Sequence, residues 1–210
     1  MCAKAVQPLS DITLLVFAKA PIPGKVKTRL MPALDAEQAC SVHVALLEQT
    51  LEVACRAFPA TRVQLWGGLE PHHPVLKTLA AHHGIECHAQ RAGDLGQRMH
   101  AALAAQRGPA ILIGSDCPVL TPTMLKRCSE ALYDHDLVML PAEDGGYALI
   151  GGHRLSRRLF TGMVWGRSDV ATQTLLRAKE LALRVACSDT VWDVDMPQDL
   201  ERWRALHAST

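Results

Sequence analysis

The chain has 210 residues, 49% of them hydrophobic and 20% charged, with a formal net charge of +1. That composition suits a globular protein with one sizeable core and excludes a fibrous or disordered chain. The near-neutral balance excludes a global basic field for nucleic acid, so any anion specificity has to be local.

Ile12 to Ala18 (ITLLVFA) is a short apolar run rich in β-favouring residues, the pattern of a central strand buried on both faces of a parallel sheet. A Pro/Gly/Lys-rich loop follows from Lys19 to Pro32, and the spacing then predicts a helix from about Asp35, its N-cap, to Ala57. The alternation continues with Arg62–Trp66 as strand, Pro74–His83 as helix, Ile85–His88 as strand and Asp94–Ala105 as helix. Ala110–Ile113 is the next strand, Thr121–Tyr133 a helix with Pro122 in its first turn, and Leu137–Leu140 another buried strand. Beyond Asp144 come Ala148–Ile150, a basic helical segment at Arg154–Phe160, a helix over Ser168–Lys179, a strand over Leu181–Ala186 and a last helix after Pro197. Such βα alternation implies an α/β fold in one domain, residues 1–210, with a mostly parallel sheet and helices on both faces. Ligands of such sheets sit beyond the carboxyl ends of the strands.

Five segments could carry chemistry. Lys19-Ala-Pro-Ile-Pro-Gly24-Lys25-Val-Lys27-Thr28-Arg29 places four cations and a glycine directly after the first strand. Gly24 lets backbone N–H groups approach an anion, Arg29 can hold two oxygens and the lysines act as point charges; the same cluster can also be a solvated surface loop. It is not a P-loop, because Val26 follows Gly24-Lys25 where Ser or Thr is required. Asp116, in Gly114-Ser115-Asp116-Cys117-Pro118 after a buried strand, can hold Mg²⁺ or Mn²⁺ against a diphosphate, or can form an Asx turn. Asp193 and Asp195 alternate, so in an extended segment both would face one cation, whereas Asp199 falls in the next helix. Asp94 with Arg98, and Asp144-Gly145-Gly146-Tyr147, place acids in glycine-rich turns that suit hydroxyl recognition or capping.

Cys117 lies beside Asp116, but no base is tied to it and buried cysteines mostly act as small apolar residues. The seven cysteines, at positions 2, 40, 55, 87, 117, 128 and 187, are odd in number with no C-x-x-C pair. That argues against a disulfide framework and for a reducing cytoplasm. The His72-His73, His82-His83 and Cys87-His88 groups match no zinc spacing. Met1 to Asp11 has no signal-peptide h-region and no apolar run is long enough to span a bilayer, so a soluble, cytoplasmic protein is expected.

Taken together, FAKAPIPGKVKTRL (17–30), GDLGQRM (93–99), IGSDCPVLTP (113–122), DGGYALIG (144–151), Trp165-Gly166 and DVDMPQDL (193–200) resemble one family. It is the bacterial GT-A-like group related to phospholactate guanylyltransferase (DUF2064), often described as cofactor-biosynthesis-like glycosyltransferases. The resemblance implies a Rossmann-like GT-A, nucleotide-diphospho-sugar transferase fold in which Lys19, Gly24, Lys25, Lys27, Thr28 and Arg29, with Asp94 and Arg98, bind the nucleotide. It implies Asp116 with Asp193 or Asp195 as metal ligands for Mg²⁺ or Mn²⁺, and Asp116 and Asp144 as catalytic acids. Gly145, Gly146, Tyr147 and Trp165 would face the sugar or acceptor. Met196 departs from the closing D-x-D-T-P pattern of that group, and Gly152-His153 stands where bulkier apolar residues are expected.

The expected partners are a nucleotide or nucleotide-sugar donor and a small acceptor, with no nucleic acid and no membrane span. Glycosyl transfer is the preferred activity, since Pro21 and Pro23 stand where nucleotidyltransferases of this fold carry a glycine-rich loop. Nucleotidyl transfer to a phosphorylated acceptor and a non-catalytic nucleotide sensor are the alternatives.

Overall fold

The computed structural model describes residues 11–208; Cys2 and the segment Met1 to Ser10 lie outside them. One seven-stranded sheet runs through these residues in the order β3-β2-β1-β4-β6-β5-β7. The strands are β1 Thr13–Lys19, β2 Val63–Gly68, β3 Glu86–Ala89, β4 Ala110–Gly114, β5 Leu137–Pro141, β6 Tyr147–Gly152 and β7 Val185–Cys187. The helices are α1 Ala36–Ala57, α2 Pro74–His83, α3 Leu95–Ala104, α4 Pro122–Ala131, α5 Val170–Glu180 and α6 Pro197–Ala208. All pairings are parallel except those of β6, which runs antiparallel between β4 and β5. The sheet is therefore mostly parallel, as read from the alternation.

The apolar run of β1 is continuous because both of its faces are covered. Leu14, Val16 and Ala18 pack with Leu47 and Leu51 of α1, Leu76 of α2 and Leu125 of α4. Leu15 and Phe17 pack on the other face with Met99 and Leu103 of α3 and Ala178 of α5. A third, smaller cluster joins Leu30, Leu46, Trp192, Val194 and Leu200, which fastens the C-terminal segment over the start of α1. β1 is interior, between β2 and β4, while β4 occupies the middle of the sheet.

Helix starts follow local chemistry. Asp35 and Asp94 each close a capping box, accepting from the N–H of Gln38 and Gln97 at 2.8 Å while those glutamines accept from the cap backbone. Two readings move. The Arg154–Phe160 segment forms only a 3₁₀ turn, Arg157–Leu159, and β7 starts at Val185 rather than Leu181. Leu181 caps α5, Ala182 takes a positive φ of 54° and Leu183 N–H donates to Ala178 O, so the chain is still leaving the helix there. Gly152, where a larger residue was expected, faces Leu155 and its neighbour Gly151 faces Ile111, and a Cβ at either would collide with those side chains. His153 instead reaches Leu132 O through Nε2 at 2.8 Å.

Candidate functional site

The carboxyl ends of β1 and β4 open onto two adjoining chambers whose common wall includes Phe17, Leu95, Gly114 and Asp116. The first, about 480 Å³, is cationic, lined by Lys19, Lys25, Lys27, Thr28, Arg29 and Arg98 together with His43, Gln90 and Asp195. The second, about 280 Å³, is apolar and acidic, lined by Met99, Leu112, Tyr147 and Trp165 with Asp116, Asp144, Asp193 and Arg167.

The cationic loop owes its shape to two backbone choices. Lys25 N–H donates to Ile22 O at 2.9 Å across a turn with Pro23 second and Gly24 third, and Gly24 has φ 77°, the arrangement a type II turn demands. Lys27 then takes a left-handed φ of 48° before the 3₁₀ turn Thr28–Leu30. Such a conformation is costly for lysine and persists where other contacts enforce it. Those contacts are visible: Lys27 Nζ lies 2.6 Å from Asp116 Oδ1 and donates to Val194 O at 2.6 Å, with its side chain only 4% exposed. Val194 N–H in turn donates to Asp116 O at 2.9 Å. Three segments distant in sequence are thus tied around one carboxylate.

Asp116 Oδ1 is buried, yet the side chain as a whole is 46% exposed, so its other oxygen faces the chambers. Burial pushes the Asp116 carboxyl up, but the adjacent Lys27 ammonium, with His43 and Lys19 further off, outweighs that and holds it below the usual carboxylate range. Asp193 behaves oppositely. Burial, then the nearby carboxylates Asp144 and Asp116, push it up to about 6. Cys117 is pushed up to about 12, mainly by burial, so its thiol stays protonated at neutral pH and is no nucleophile.

Asp193 and Asp195 line different chambers, both of which Asp116 also lines. Residues 192–195 form no regular strand, so the period-two rule does not hold there. Asp193 lines the acidic chamber, whereas Asp195 lines the cationic one and pairs with Arg29 at 2.6 Å. Asp199 caps the last turn of this segment, accepting from Asp195 and Met196 N–H. Among the described residues, no three Asp, Glu, His or Cys side chains converge as a ready metal cage.

Asp94 lines neither chamber, because its carboxylate caps α3. Gly24 and Gly145 are not lining residues either; Gly145, φ 86°, lets the turn press against the Ser168 backbone. Asp144 Oδ1 accepts from Gly146 N–H at 2.8 Å in an Asx turn that leaves the carboxylate in the acidic chamber. Tyr147 and Trp165 meet edge to face, centroids 6.5 Å apart.

Sequence reasoning missed the polar lining residues His43, Gln90 and Arg167. His43 is buried on the inner face of α1, its Nε2 2.9 Å from Lys19 O, and burial lowers its pKa. Gln90 donates to Trp66 O at 2.8 Å and accepts from Arg98 at 2.9 Å, which aims that guanidinium. Arg167 stands at the rim, 3.4 Å from Asp169. A polar residue on the apolar stripe of α1 was the one available signal, and it pointed to His43.

The family model described as "Uncharacterized protein conserved in bacteria (DUF2064)" matches residues 48–167, a span that includes Asp116, Asp144 and Trp165. No curated protein matches the chain. A protein from Desulfovibrio desulfuricans G20, provisionally assigned as a nucleotide-diphospho-sugar transferase, is 28% identical with a TM-score of 0.80 over 89% of this chain and 83% of its own. A cytidylyltransferase from Leptospira borgpetersenii serovar Hardjo-bovis has the same fold, at 13% identity and a TM-score of 0.65, over 95% of this chain and 87% of that one. Rv0371c from Mycobacterium tuberculosis H37Rv, in complex with manganese, has it at 22% identity and a TM-score of 0.55, over 92% and 97%. Among the described residues, no helix is long and apolar enough to cross a membrane.

Proposed function

This chain belongs to the bacterial family described as DUF2064, and from that premise we propose that it is a transferase using a nucleotide-activated donor, preferentially a nucleotide-diphospho-sugar. One observation carries the reading: a cationic chamber and an acidic one meet at Asp116, beyond the carboxyl ends of β1 and β4. Phosphates belong in the first, where Lys25, Arg29 and Arg98 supply donors, and the reacting sugar and acceptor belong in the second.

The free oxygen of Asp116 and the Asp193 carboxylate fit a divalent cation. Asp193 is pushed up to about 6 by burial first and then by the nearby carboxylates Asp144 and Asp116, and a cation would relieve the repulsive part. Mg²⁺ and Mn²⁺ sites of this kind need only one or two carboxylates plus phosphate oxygens and water. When bound there, the ion would neutralise the departing diphosphate. Lys27 orients Asp116 and holds its carboxylate ionised. Asp144, fixed by the Gly146 amide, accepts the proton of the attacking hydroxyl. The bond from the sugar carbon to the diphosphate oxygen breaks as the bond to the acceptor oxygen forms. Nucleotidyl transfer stays the second reading, supported by the cytidylyltransferase likeness in fold.

A thermal-shift screen of nucleoside triphosphates and nucleotide sugars, with and without Mg²⁺ or Mn²⁺, tests this. A donor at about a hundred times its Kd adds about 2.7 kcal/mol, or about 5–11 °C for a chain of this size. Metal-dependent stabilisation by a nucleotide sugar, lost in Asp116→Ala, is the expected result. Unchanged metal dependence in Asp116→Ala would remove the metal site, and preference for triphosphates would promote nucleotidyl transfer.

A further inference from the structure

The acidic chamber has a chemistry of its own, and its occupant can be classed from it. Its charged lining consists of three carboxylates, Asp116, Asp144 and Asp193, against one guanidinium, Arg167. Arg167 already pairs with Asp169 at 3.4 Å and is largely exposed. Lys27 reaches Asp116 from the other chamber, through the buried Oδ1. A divalent cation shared by Asp116 and Asp193 would cancel two of these charges and leave Asp144. The rest of the wall is apolar, from Leu112 and Met99 to the edge-to-face pair Tyr147 and Trp165. Trp165 Nε1 is buried and donates to nothing in the protein. The chamber's volume, about 280 Å³, lies at the small end for ligand pockets.

We infer that this chamber receives a small, uncharged, hydroxyl-bearing ring and rejects phosphorylated or carboxylated acceptors. The inference rests on the donor reading above and deepens it by naming the acceptor class. Hydroxyls donate to the acidic wall, and a flat face covers the apolar floor beside the Tyr147 and Trp165 rings. With the cation in place a phosphate brought here still meets the Asp144 carboxylate, and the one guanidinium of the lining is already paired with Asp169, an arrangement that discriminates against it. This favours glycosyl transfer to a neutral hydroxyl over transfer to a phosphorylated acceptor.

The indole N–H of Trp165 provides a local probe, assigned in the ¹⁵N-labelled full chain as the resonance missing from Trp165→Phe. Methyl glucoside, phenyl glucoside and glucose 6-phosphate are titrated with a nucleoside diphosphate and Mg²⁺ present. The two neutral glucosides should shift that resonance, and glucose 6-phosphate should bind at least about tenfold more weakly, a difference of about 1.4 kcal/mol. Asp144→Asn, which keeps the acceptor for the Gly146 amide, should narrow that gap. Equal or tighter binding of glucose 6-phosphate, or no response to either glucoside, overturns the inference. Calorimetric titration of the nucleoside diphosphate into wild type and Arg29→Ala reports on the cationic chamber separately. Absent or Arg29-insensitive binding sinks the donor reading; intact nucleotide binding with a phosphate-tolerant acidic chamber sinks this inference alone.

Discussion

Replacing Asp193 with Asn should make the metal-free protein more stable at neutral pH while weakening its metal-dependent nucleotide binding. In the fold, the Asp193 pKa moves from the ordinary 3.8 to about 6, through burial first and then Asp144 and Asp116. A carboxylate with a raised pKa holds its proton more tightly folded than unfolded, so its ionisation costs the native state. The cost is absent below the ordinary carboxylate range, develops as pH rises to about 6, and is fully present above it. At about 1.4 kcal/mol per pH unit the difference amounts to about 3 kcal/mol, and partial solvent exposure of Asp193 reduces this to about 1–2 kcal/mol. Asn carries no charge and escapes the cost. Urea denaturation in a chelating buffer should therefore show Asp193→Asn more stable by about 1–2 kcal/mol at about pH 7.5 and equal to wild type near pH 4. A variant no more stable at neutral pH, or one whose advantage is the same at both pH values, would refute the electrostatic account. Saturating metal and donor should reverse the order, since the variant then lacks one carboxylate of the site.

Lys27→Met should destabilise the protein by about 1–3 kcal/mol at neutral pH, because Asp116 Oδ1 stays buried without its ammonium. Since the depressed Asp116 pKa stabilises the fold only above the ordinary carboxylate range, chemical denaturation should show this deficit shrinking as the pH falls toward 3. Arg29→Ala, at an exposed ion pair, should change stability by less than about 1 kcal/mol yet lower nucleotide affinity by about tenfold or more in calorimetry. Gly96→Ala should lower Tm by several degrees, since its Cβ would stand 2.5 Å from the Trp165 ring and 2.7 Å from Phe160 O. Near-ultraviolet dichroism should report the displaced indole.

The order of elements was legible because each carries its own local cause: both faces of β1 are covered, Asp35 and Asp94 satisfy their helix N-termini, and Gly24 follows Pro23 where a type II turn requires a positive φ. The cationic loop and Asp116 were legible for the same reason, as residues beyond the carboxyl ends of strands. Whether Asp116 meets the C-terminal acids was not, because that depends on Lys27 and Val194 bridging three distant segments. The period-two rule does not describe Asp193 and Asp195, which line different chambers, because residues 192–195 are held by tertiary contacts and form no regular strand. Asp94 illustrates the same limit, since a capping acid and a ligand-binding acid look alike until the helix is seen to take the oxygen. Composition and periodicity thus determined the layers and pointed to the end of the sheet where the two chambers open. Only packing in three dimensions divided that end into a cationic and an acidic chamber, because the charges lining each come from segments that meet nowhere in the chain.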